Sequence, residues 1–257
     1  MVLMNITLEN QAAIVTGGSR GIGAATVKLF AEAGAKVVFS YLRAAGQARA
    51  LVKACGGDSK VVAVRADVAK MADAKRLVGA AIRHFGRLDI LVANAGIWNY
   101  QPIPIQKMTE RDWDEMMAIN LKGVYSVIRH SVPEMIRRQG GRIIVVSSTA
   151  GQRGDAFHSH YGASKGGVIS LVKGLSTELA PHHILVNCVA PGWIDTEMAA
   201  PVVKNRREYR KAISVIPLRR FGRPEEVAMP ILFLASSLST FMTGEIVNVN
   251  GGNVLCG

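Results

Sequence analysis

The sequence has few aromatic residues, few cysteines and no long apolar run. Aromatic residues are 6% of the 257, which argues against a lectin-like β-sandwich. No stretch of about eighteen consecutive apolar residues occurs, so neither a membrane-spanning helix nor a membrane partner is expected. The first ten residues lack the basic start of a secretory signal. The three cysteines, Cys55, Cys188 and Cys256, contain no CxxC pair, which predicts a reduced, cytoplasmic protein without disulfides or a metal site.

The remaining composition is that of one globular domain. Apolar residues are 49% of the chain, and glycine contributes 26 residues, which allows a large core and close packing of helices on strands. No Pro- or Ser-rich linker divides the chain, and no repeat with a period of about 20–50 residues is present. We therefore expect a single domain over residues 1–257.

Short β-branched runs alternate with longer helical patterns along the whole chain. Apolar residues from Met71 to Phe85 recur at helical spacing, and Gly86 is expected to end that helix. Another helix is predicted to begin at Pro224, and Pro230 inside it predicts a kink or an early end. This alternation predicts an α/β fold, a doubly wound parallel sheet with helices on both faces. The predicted strands are Ala12–Thr16, Lys36–Ser40, Val61–Arg65, Leu88–Ala93, Arg142–Ser147, Ile184–Val189 and Glu245–Val249.

A glycine-rich turn follows the first predicted strand. It reads TGGSRGIG, with Gly17, Gly21 and Gly23 before a helical stretch. Backbone without side chains can lie against a pyrophosphate there, and free amides at the helix start attract the negative charge. The spacing differs from the commonest dinucleotide fingerprint, and close strand–helix packing alone could also require these glycines. The position after the first strand of an alternating chain favours the dinucleotide interpretation.

The end of the second predicted strand is where the adenosine ribose of a dinucleotide is expected. An NAD(H) site carries an acidic residue there, but no Asp or Glu occurs between Glu32 and Asp58. The chain has Tyr41 at that point, with Arg20 in the glycine-rich turn and Arg43 just beyond the strand. Both arginines could meet a 2′-phosphate, although each could also be an ordinary surface residue. The missing acid favours NADP(H) over NAD(H).

Tyr161 and Lys165 lie four residues apart at the start of a predicted helix. That spacing places both side chains on one face. A lysine ammonium beside a phenol favours the phenolate and lowers its pKa, and such a tyrosine can give a proton to a carbonyl oxygen or take one from an alcohol. Such pairs also occur by chance, but of the five tyrosines only Tyr161 has a lysine four residues later.

Further motifs in the same order give the chain its resemblance to the short-chain dehydrogenase/reductase family, which extends over the whole length. The NNAG motif of the family departs here only in its first residue, which is Ala93. The remaining matches are Thr16, Gly17, Gly21 and Gly23 to TGxxxGxG, Asp67 and Val68 after the third strand, Asn94-Ala95-Gly96, Asn120, Ser148, Pro191-Gly192 and Thr196.

The resemblance implies a single-domain Rossmann-type fold and a nicotinamide cofactor. Thr196 is expected to meet the nicotinamide carboxamide, and Asp67 to lie on the adenine side. The residues expected at the cofactor are Gly17, Ser19, Arg20, Gly21, Ile22, Gly23, Tyr41, Arg43, Asp67, Val68, Asn94, Ala95, Gly96, Tyr161, Lys165, Pro191, Gly192, Ile194 and Thr196.

The resemblance also implies four catalytic residues for the interconversion of a ketone and a secondary alcohol. Ser148 hydrogen-bonds the substrate oxygen, Tyr161 transfers the proton, and Lys165 lowers the pKa of the tyrosine and holds the nicotinamide ribose. Asn120 keeps a water in a proton relay, although it could instead be a packing residue. Ser147 is the neighbour that could be mistaken for the catalytic serine. The nicotinamide carries the hydride.

The substrate is expected to be set by Ile97–Lys107, Gly151–His160 and a lid, Glu197–Phe221. The overall pattern resembles both the 3-oxoacyl reductases of acyl-carrier thioesters, the favoured interpretation, and the sugar or polyol dehydrogenases, the alternative. Seven side chains in or beside these segments could line an apolar pocket or bind hydroxyls, or could serve only packing and surface. They are Trp98, Tyr100, Phe157 and Trp193 for the pocket, and Asp155, His158 and His160 for hydroxyls.

Positive charge is concentrated in one segment. The chain carries a net charge of +12, and the 22 residues Val202–Arg223 hold eight basic side chains against Glu208 alone, a local net charge of +7. The segment is either a solvated surface or a site that attracts an anionic or carrier-bound substrate. Nucleic acid is disfavoured because no nucleic-acid-binding motif accompanies the charge.

Two wider expectations complete the sequence reading. The resemblance, together with the apolar helix around Gly166–Leu179, predicts a homo-oligomer, with a tetramer favoured over a dimer. A non-catalytic dinucleotide sensor is the remote alternative, but it would have no need of Ser148, Tyr161 and Lys165 together.

Overall fold

Seven parallel strands form one sheet in the computed structural model, which describes residues 6–255. Each strand is a short, largely apolar run, as parallel strands covered on both faces require. The strands are β1 (Ala12–Val15), β2 (Lys36–Tyr41), β3 (Val61–Arg65), β4 (Ile90–Ala93), β5 (Gly141–Val146), β6 (Ile184–Pro191) and β7 (Ile246–Val249).

The strand order divides the sheet into two halves beside β1. The order is β3-β2-β1-β4-β5-β6-β7, so the chain runs outward from β1 to β3 and then returns to the other side of β1. Connections on the two sides of such a switch point leave toward opposite faces, and ligands bind in the crevice outside the carboxyl ends of the strands. The edge formed by the ends of β1 and β4 is therefore where a dinucleotide is expected.

Helices cover both faces of the sheet. A π-helical turn at Ala118–Lys122 joins the fourth helix to the fifth. The helices are α1 (Gly21–Glu32), α2 (Ala45–Ala54), α3 (Met71–Phe85), α4 (Glu110–Met117), α5 (Gly123–Arg137), α6 (Thr149–Arg153), α7 (Ser159–Leu179), α8 (Ala200–Lys204), α9 (Arg206–Ser214) and α10 (Pro224–Ala235).

Two apolar clusters fill the space between the sheet and these helices. Alternate residues of β5 point to opposite faces, so Ile144 belongs to the cluster that contains Phe30 of α1 and Ile143 to the cluster that contains Leu77 of α3. All four side chains are essentially inaccessible to solvent. This double burial holds the strand ends in fixed positions relative to one another.

The predicted doubly wound parallel sheet is confirmed, and the seven strands lie where the sequence places them, to within two residues at each end. The prediction for α3 is also confirmed, because Gly86 ends it with a left-handed backbone, φ 72°. The expected early end at Pro230 is wrong, since α10 continues to Ala235. Burial of residues such as Ile231 and Leu234 on this helix outweighs the roughly 3 kcal/mol that an interior proline costs.

Some expectations from the sequence concern the chain ends and its environment. The predicted domain bounds, 1–257, include residues 1–5 and 256–257, and Cys256 among them lies outside the described range. Cys55 and Cys188 are free thiols. Among residues 6–255, no helix has the length and apolar character needed to cross a membrane.

Candidate functional site

The turn after β1 is fixed to the end of β4 by hydrogen bonds. The Thr16 hydroxyl oxygen accepts from the backbone N–H groups of Asn94 and Ala95, each at 2.9 Å. In return the Asn94 side-chain amide donates to the Thr16 carbonyl at 2.9 Å. Two segments that are 78 residues apart in the chain thus form one rigid edge, and Asn94 serves the shape of the glycine-rich turn itself.

Glycine is required in this turn by close approach. Gly17 has φ +64°, and a Cβ at Gly23 would lie 2.2 Å from the Gly17 carbonyl oxygen. Gly21 has φ +52°, and a Cβ there would lie 3.2 Å from Cγ2 of Thr196. The turn is therefore packed between the start of α1 and Thr196, in the segment that leads into the predicted lid.

The N-terminus of α1 is free to receive an anion. Its preceding residue, Arg20, makes no side-chain cap, and no acidic residue lies in the first turn of the helix. The first amides of a helix have no intrahelical acceptor, and the helix dipole adds positive potential there. Ser19 and Ile22 are half-buried beside this point. A pyrophosphate satisfies these amides where nothing in the described chain does so.

Three guanidinium groups belong to the edge where the ribose is expected. Tyr41 ends β2, and neither Arg20 nor Arg43, both exposed, forms an ion pair within residues 6–255. Arg65, which the sequence reading missed as a site residue, lies opposite Tyr41 in the β2–β3 register. Its Nε donates to the Leu42 carbonyl at 3.3 Å. The parallel pairing of the second and third predicted strands was the signal that could have found it.

The other predicted cofactor residues lie along the same carboxyl edge. Asp67 follows β3, and its carboxylate accepts from the Ala69 N–H at 3.1 Å. Val68 contacts Gly123 at the start of α5, where a Cβ would approach to 3.0 Å. On the other half of the sheet, Pro191 ends β6, and Gly192 and Ile194 follow it. The Gly192 backbone N–H donates to the Val249 carbonyl at 3.0 Å.

Ser148 and Tyr161 come together at the N-terminal ends of α6 and α7. Ser148 caps α6, its Oγ accepting from the Ala150 N–H at 3.1 Å, and its side chain lies close enough to Tyr161 to lower the pKa of that phenol. Ser147 is different, because it is buried and donates to the Lys165 carbonyl at 2.8 Å. The geometry therefore distinguishes the two serines in favour of Ser148.

Asn120 and Lys165 converge beneath this pair. A Cβ on Gly96 would lie 3.2 Å from Asn120 Oδ1 and 3.3 Å from Lys165 Nζ. The Asn120 side chain accepts from the Ile97 N–H at 2.8 Å and donates to the Ile97 carbonyl at 2.9 Å, and it also donates to Ser164 Oγ at 3.2 Å. Its amide therefore fixes the segment after β4 against α7.

Lys165 was expected to lower the pKa of Tyr161. Among the described residues the pKa of Tyr161 is instead raised, and Lys165 is not among the groups that shift it. Burial raises the pKa of Tyr161, the hydrogen bond with Ser148 lowers it by less, and the Asp155 carboxylate raises it further. Lys165 Nζ lies 6.0 Å from the Tyr161 ring centre and donates to the Val146 carbonyl at 2.9 Å. Burial lowers the pKa of Lys165 itself to about 8. A sequence motif does not reveal how far each group is desolvated.

Aromatic side chains close the substrate side of the site. Trp98 packs edge-on against Trp193 with ring centres 5.6 Å apart, and Tyr100 lies 6.2 Å from Trp98. Phe221 stacks on Trp193 at 5.3 Å and meets Tyr209 of α9 at 5.0 Å. The structure thus brings three predicted pocket residues together and adds two from the predicted lid.

Two of the predicted substrate residues lie elsewhere. Phe157 has a left-handed backbone, φ 64°, and its side chain is 58% exposed, so it does not join the aromatic cluster. His160 is completely buried beside Asp112 of α4, which also excludes it from an open pocket, and burial lowers its pKa.

An acid–imidazole pair borders the aromatic cluster. His158 Nδ1 lies 3.8 Å from the Asp155 carboxylate, and the imidazole ring lies 5.3 Å from Trp98. Burial raises the pKa of Asp155, while His158, Arg153 and a hydrogen bond from Trp98 oppose that rise. His158 Nε2 is buried without a partner in the described part of the chain.

The predicted lid has an apolar inner face and a cationic outer face. On α9, Ala212 is buried with the aromatic cluster and Tyr209 packs against it. One of the eight basic groups is neutralised, because Arg220 makes two hydrogen bonds to Glu226 at 2.6 and 2.7 Å and lowers its pKa to about 2. The exposed basic residues of α9 are Arg206, Arg207, Arg210 and Lys211.

Together the fold and the site define a class of protein. A doubly wound sheet offers an uncapped helix N-terminus for a pyrophosphate at its switch point, and a serine–tyrosine pair stands beside it above a buried lysine. Such a pair can hold a carbonyl or alcohol oxygen and move its proton, while a dinucleotide carries the hydride. The site is that of a dinucleotide-dependent oxidoreductase.

Comparison with known proteins identifies the family. A family model described as Enoyl-(Acyl carrier protein) reductase matches residues 17–253. The chain belongs to this family, which is a branch of the short-chain dehydrogenases/reductases. It is therefore an NAD(P)-dependent oxidoreductase that acts on a carbonyl or alcohol group.

Individual relatives are similar over nearly the full length. A 3-oxoacyl-[acyl-carrier-protein] reductase of Thermotoga maritima is 41% identical, over 96% of this chain and 99% of the relative. An acetoacetyl-CoA reductase of Synechocystis is 39% identical, over 98% and 99%. Among solved structures, one described as a glucose/ribitol dehydrogenase of Brucella melitensis superposes with a TM-score of 0.90 at 34% identity, covering 98% of this chain and 100% of that one.

The burial of Lys165 predicts a pH-dependent stability. Its pKa falls from 10.5 to about 8 on folding, so below pH 8 the folded protein carries the full cost of burying the ammonium, and that cost disappears as the pH rises to 10.5. Relative to Lys165→Met, the wild type without cofactor should gain about 3 kcal/mol of unfolding free energy between pH 7 and pH 10.5. Urea unfolding across this range measures the difference. Lys173→Met, which removes an exposed lysine of the same helix and keeps Lys165, should gain stability as the wild type does, and an equal trend in the two variants would contradict the assignment.

Proposed function

We propose that this protein reduces the ketone of a 3-oxoacyl thioester to a secondary alcohol, using NADPH. The observation that carries the chemistry is the Ser148–Tyr161 pair, held above the buried Lys165 at the switch point of the sheet. The substrate class is supported by the names of the relatives, a 3-oxoacyl-[acyl-carrier-protein] reductase and an acetoacetyl-CoA reductase.

In this proposal the substrate oxygen lies between Ser148 and Tyr161. Ser148 donates a hydrogen bond to the ketone oxygen, and Tyr161 gives it a proton as it becomes an alkoxide. A raised pKa suits this direction, because it keeps the phenol protonated before the reaction. The bound nicotinamide supplies the hydride. Lys165 holds the nicotinamide ribose and, with its pKa near 8, remains charged at neutral pH.

Asn120 is a positioning residue in this proposal. Its side chain already hydrogen-bonds Ile97 and Ser164. The water of the expected proton relay would therefore bind beside Asn120 and leave these hydrogen bonds intact. Loss of the amide would release both the segment after β4 and the start of α7.

The cofactor would lie across the carboxyl edge from β2 to β6. The glycine-rich turn and the start of α1 take the pyrophosphate, through Gly17, Ser19, Gly21, Ile22 and Gly23. Tyr41 and the three arginines 20, 43 and 65 surround the adenosine ribose. The nicotinamide end lies toward Tyr161 and Lys165. The remaining contacts are Asp67, Val68, Asn94, Ala95, Gly96, Pro191, Gly192, Ile194 and Thr196.

NADP(H) is the proposed form of the cofactor. No carboxylate is present at the end of β2 to accept a free 2′-hydroxyl, and the three arginines, which form no ion pair within residues 6–255, can receive a 2′-phosphate. The guanidinium groups and the missing acid both favour NADP(H) over NAD(H).

A sugar or polyol dehydrogenase is the second candidate. It is favoured by the Asp155–His158 pair, whose partially buried carboxylate and imidazole suit hydroxyl groups better than an acyl chain, and by the solved structure described as a glucose/ribitol dehydrogenase. Activity with 3-oxoacyl thioesters against sugars and polyols, followed at the nicotinamide absorbance, decides between the two.

Two further features belong to the proposal. The chain would form a homotetramer, supported by exposed apolar residues such as Trp113 and Tyr125, whereas Ile169 and Leu175 of α7 are largely covered by the chain's own core. It would act in the cytoplasm, consistent with the two free thiols.

Tyr161→Phe tests the chemical step. The variant lacks only the hydroxyl, so the ring still packs and the fold should survive, but the proton donor is gone. Turnover should fall by about 10²–10⁴, measured at saturating cofactor and substrate, while NADPH binding followed by fluorescence stays within a few fold. Tyr125→Phe, which changes an exposed tyrosine of α5, serves as the control. A Tyr161→Phe protein with more than a tenth of the wild-type rate, chemistry being rate-limiting, is incompatible with the proposal.

Arg65→Gln tests the form of the cofactor. Removing one charged partner of a phosphate should weaken NADPH binding by about tenfold and leave NADH binding nearly unchanged. Tyr41→Asp should go further and shift the preference toward NADH, because a carboxylate repels the phosphate and accepts the free hydroxyl. Fluorescence titration of both cofactors measures each constant, with Arg49→Gln on α2 as the control. Tighter binding of NADH than NADPH by the wild type would reject the proposal.

A triple change of Arg206, Arg207 and Arg210 to Ser tests the lid. If the outer face of α9 attracts an acidic carrier or a coenzyme A thioester, KM for these substrates should rise by about tenfold at low salt, and its salt dependence should flatten. KM for a small neutral ketone should not change. Replacing Lys75, Arg83 and Arg129 by Ser removes the same charge from α3 and α5 and should have little effect. If the triple variant has the same KM as the wild type for every substrate, the segment is only a solvated surface.

A further inference from the structure

A cavity opens at the edge of the sheet opposite the proposed cofactor site. It has a volume of about 290 Å³ and lies at the amino ends of β1, β4, β5 and β6. Its lining includes Arg138, Arg142, His183 and Gln11, with Asp89 as its acidic member. None of these residues belongs to the proposed catalytic or cofactor machinery.

Asp89 is fully engaged by groups around it. Its two carboxylate oxygens accept from Arg87 at 2.7 and 2.8 Å, from the Ala12 N–H at 2.8 Å and from Arg138 Nε at 3.2 Å. One negative charge therefore serves two guanidinium groups, and it leaves one positive charge uncompensated at the cavity wall.

Arg142 adds a second uncompensated charge. Its Nη1 donates to the Leu234 carbonyl at 3.4 Å and to Ser239 Oγ at 3.1 Å, and both acceptors are uncharged. Within residues 6–255, no carboxylate lies within ion-pair distance of it, and neither Nε nor Nη2 has a hydrogen-bond partner. Burial lowers the pKa of Arg142 because no acid offsets the loss of solvent. A half-buried guanidinium in this state is stabilised by an external anion.

We propose that this cavity is a binding site for a small polyvalent anion, of the class of phosphate, phosphate monoesters and tricarboxylates. The forks of Arg142 and Arg138 present planar N–H donors of the kind that bind phosphate and carboxylate groups in pairs. The volume admits a molecule of that size, and His183 and Gln11 are further polar residues in its lining. Monovalent chloride would neutralise only one of the two charges.

Calorimetric titration with potassium phosphate tests the site. The protein is first saturated with NADP⁺, so that the glycine-rich turn is blocked, and ionic strength is held constant with potassium chloride. We expect one phosphate per chain, and binding weaker by about tenfold or more in Arg142→Gln and in Arg138→Gln. Arg137→Gln is the matched control, since this neighbouring arginine pairs with Glu134 and does not line the cavity.

The outcomes separate the alternatives. Because Arg142 also holds the end of α10, Arg138→Gln decides the question if Arg142→Gln does not fold. Titration with citrate and with glycerol phosphate, in competition with phosphate, shows which anion of the class is preferred. No heat with any of the three anions, or binding that is equal in wild type and Arg138→Gln, would overturn the proposal.

Discussion

The contact between the turn after β1 and the end of β4 is the constraint on which the site depends. Thr16 and Asn94 bind the two segments together through three hydrogen bonds of 2.9 Å, and Gly23 lets α1 begin so close that any Cβ would collide with the Gly17 carbonyl. The same β4 end continues into Gly96, against which Asn120 and Lys165 converge. The glycine-rich turn and Lys165 are therefore positioned by one junction, so a change there displaces both.

Desolvation determines the electrostatics of the catalytic groups. The lysine is held by a backbone carbonyl and not by a carboxylate, which leaves its charge available for a substrate or cofactor group instead of cancelling it. The pKa of Tyr161 lies above its ordinary value because burial outweighs the opposing effect of Ser148. The resulting site has a neutral acid beside a weakly solvated cation, an arrangement that favours negative charge developing on a nearby oxygen.

Much of the fold, and the grouping of the candidate site residues at one edge of the sheet, could be predicted because their signals are local. Strand runs such as Val61–Arg65 and the Gly86 helix end are set by neighbouring residues, and Tyr161 and Lys165 share a face through simple helix geometry. What could not be predicted depends on packing between distant segments. The raised pKa of Tyr161, the outward position of Phe157 and the continuation of α10 through Pro230 all follow from burial that no local pattern records.

The same distinction explains why the substrate is harder to assign than the reaction. The hydride and proton chemistry needs only groups fixed by the sheet and α7, whereas the proposed substrate pocket is built from Trp98, Trp193 and Phe221, which come from three separate segments. Two of these aromatic residues follow β6 and stand beside α9, whose outer face is cationic. A lid so constructed couples an apolar pocket to a positive entrance. An acyl chain with an anionic carrier satisfies both features at once, whereas a sugar would use the Asp155–His158 pair and leave the positive entrance without a role.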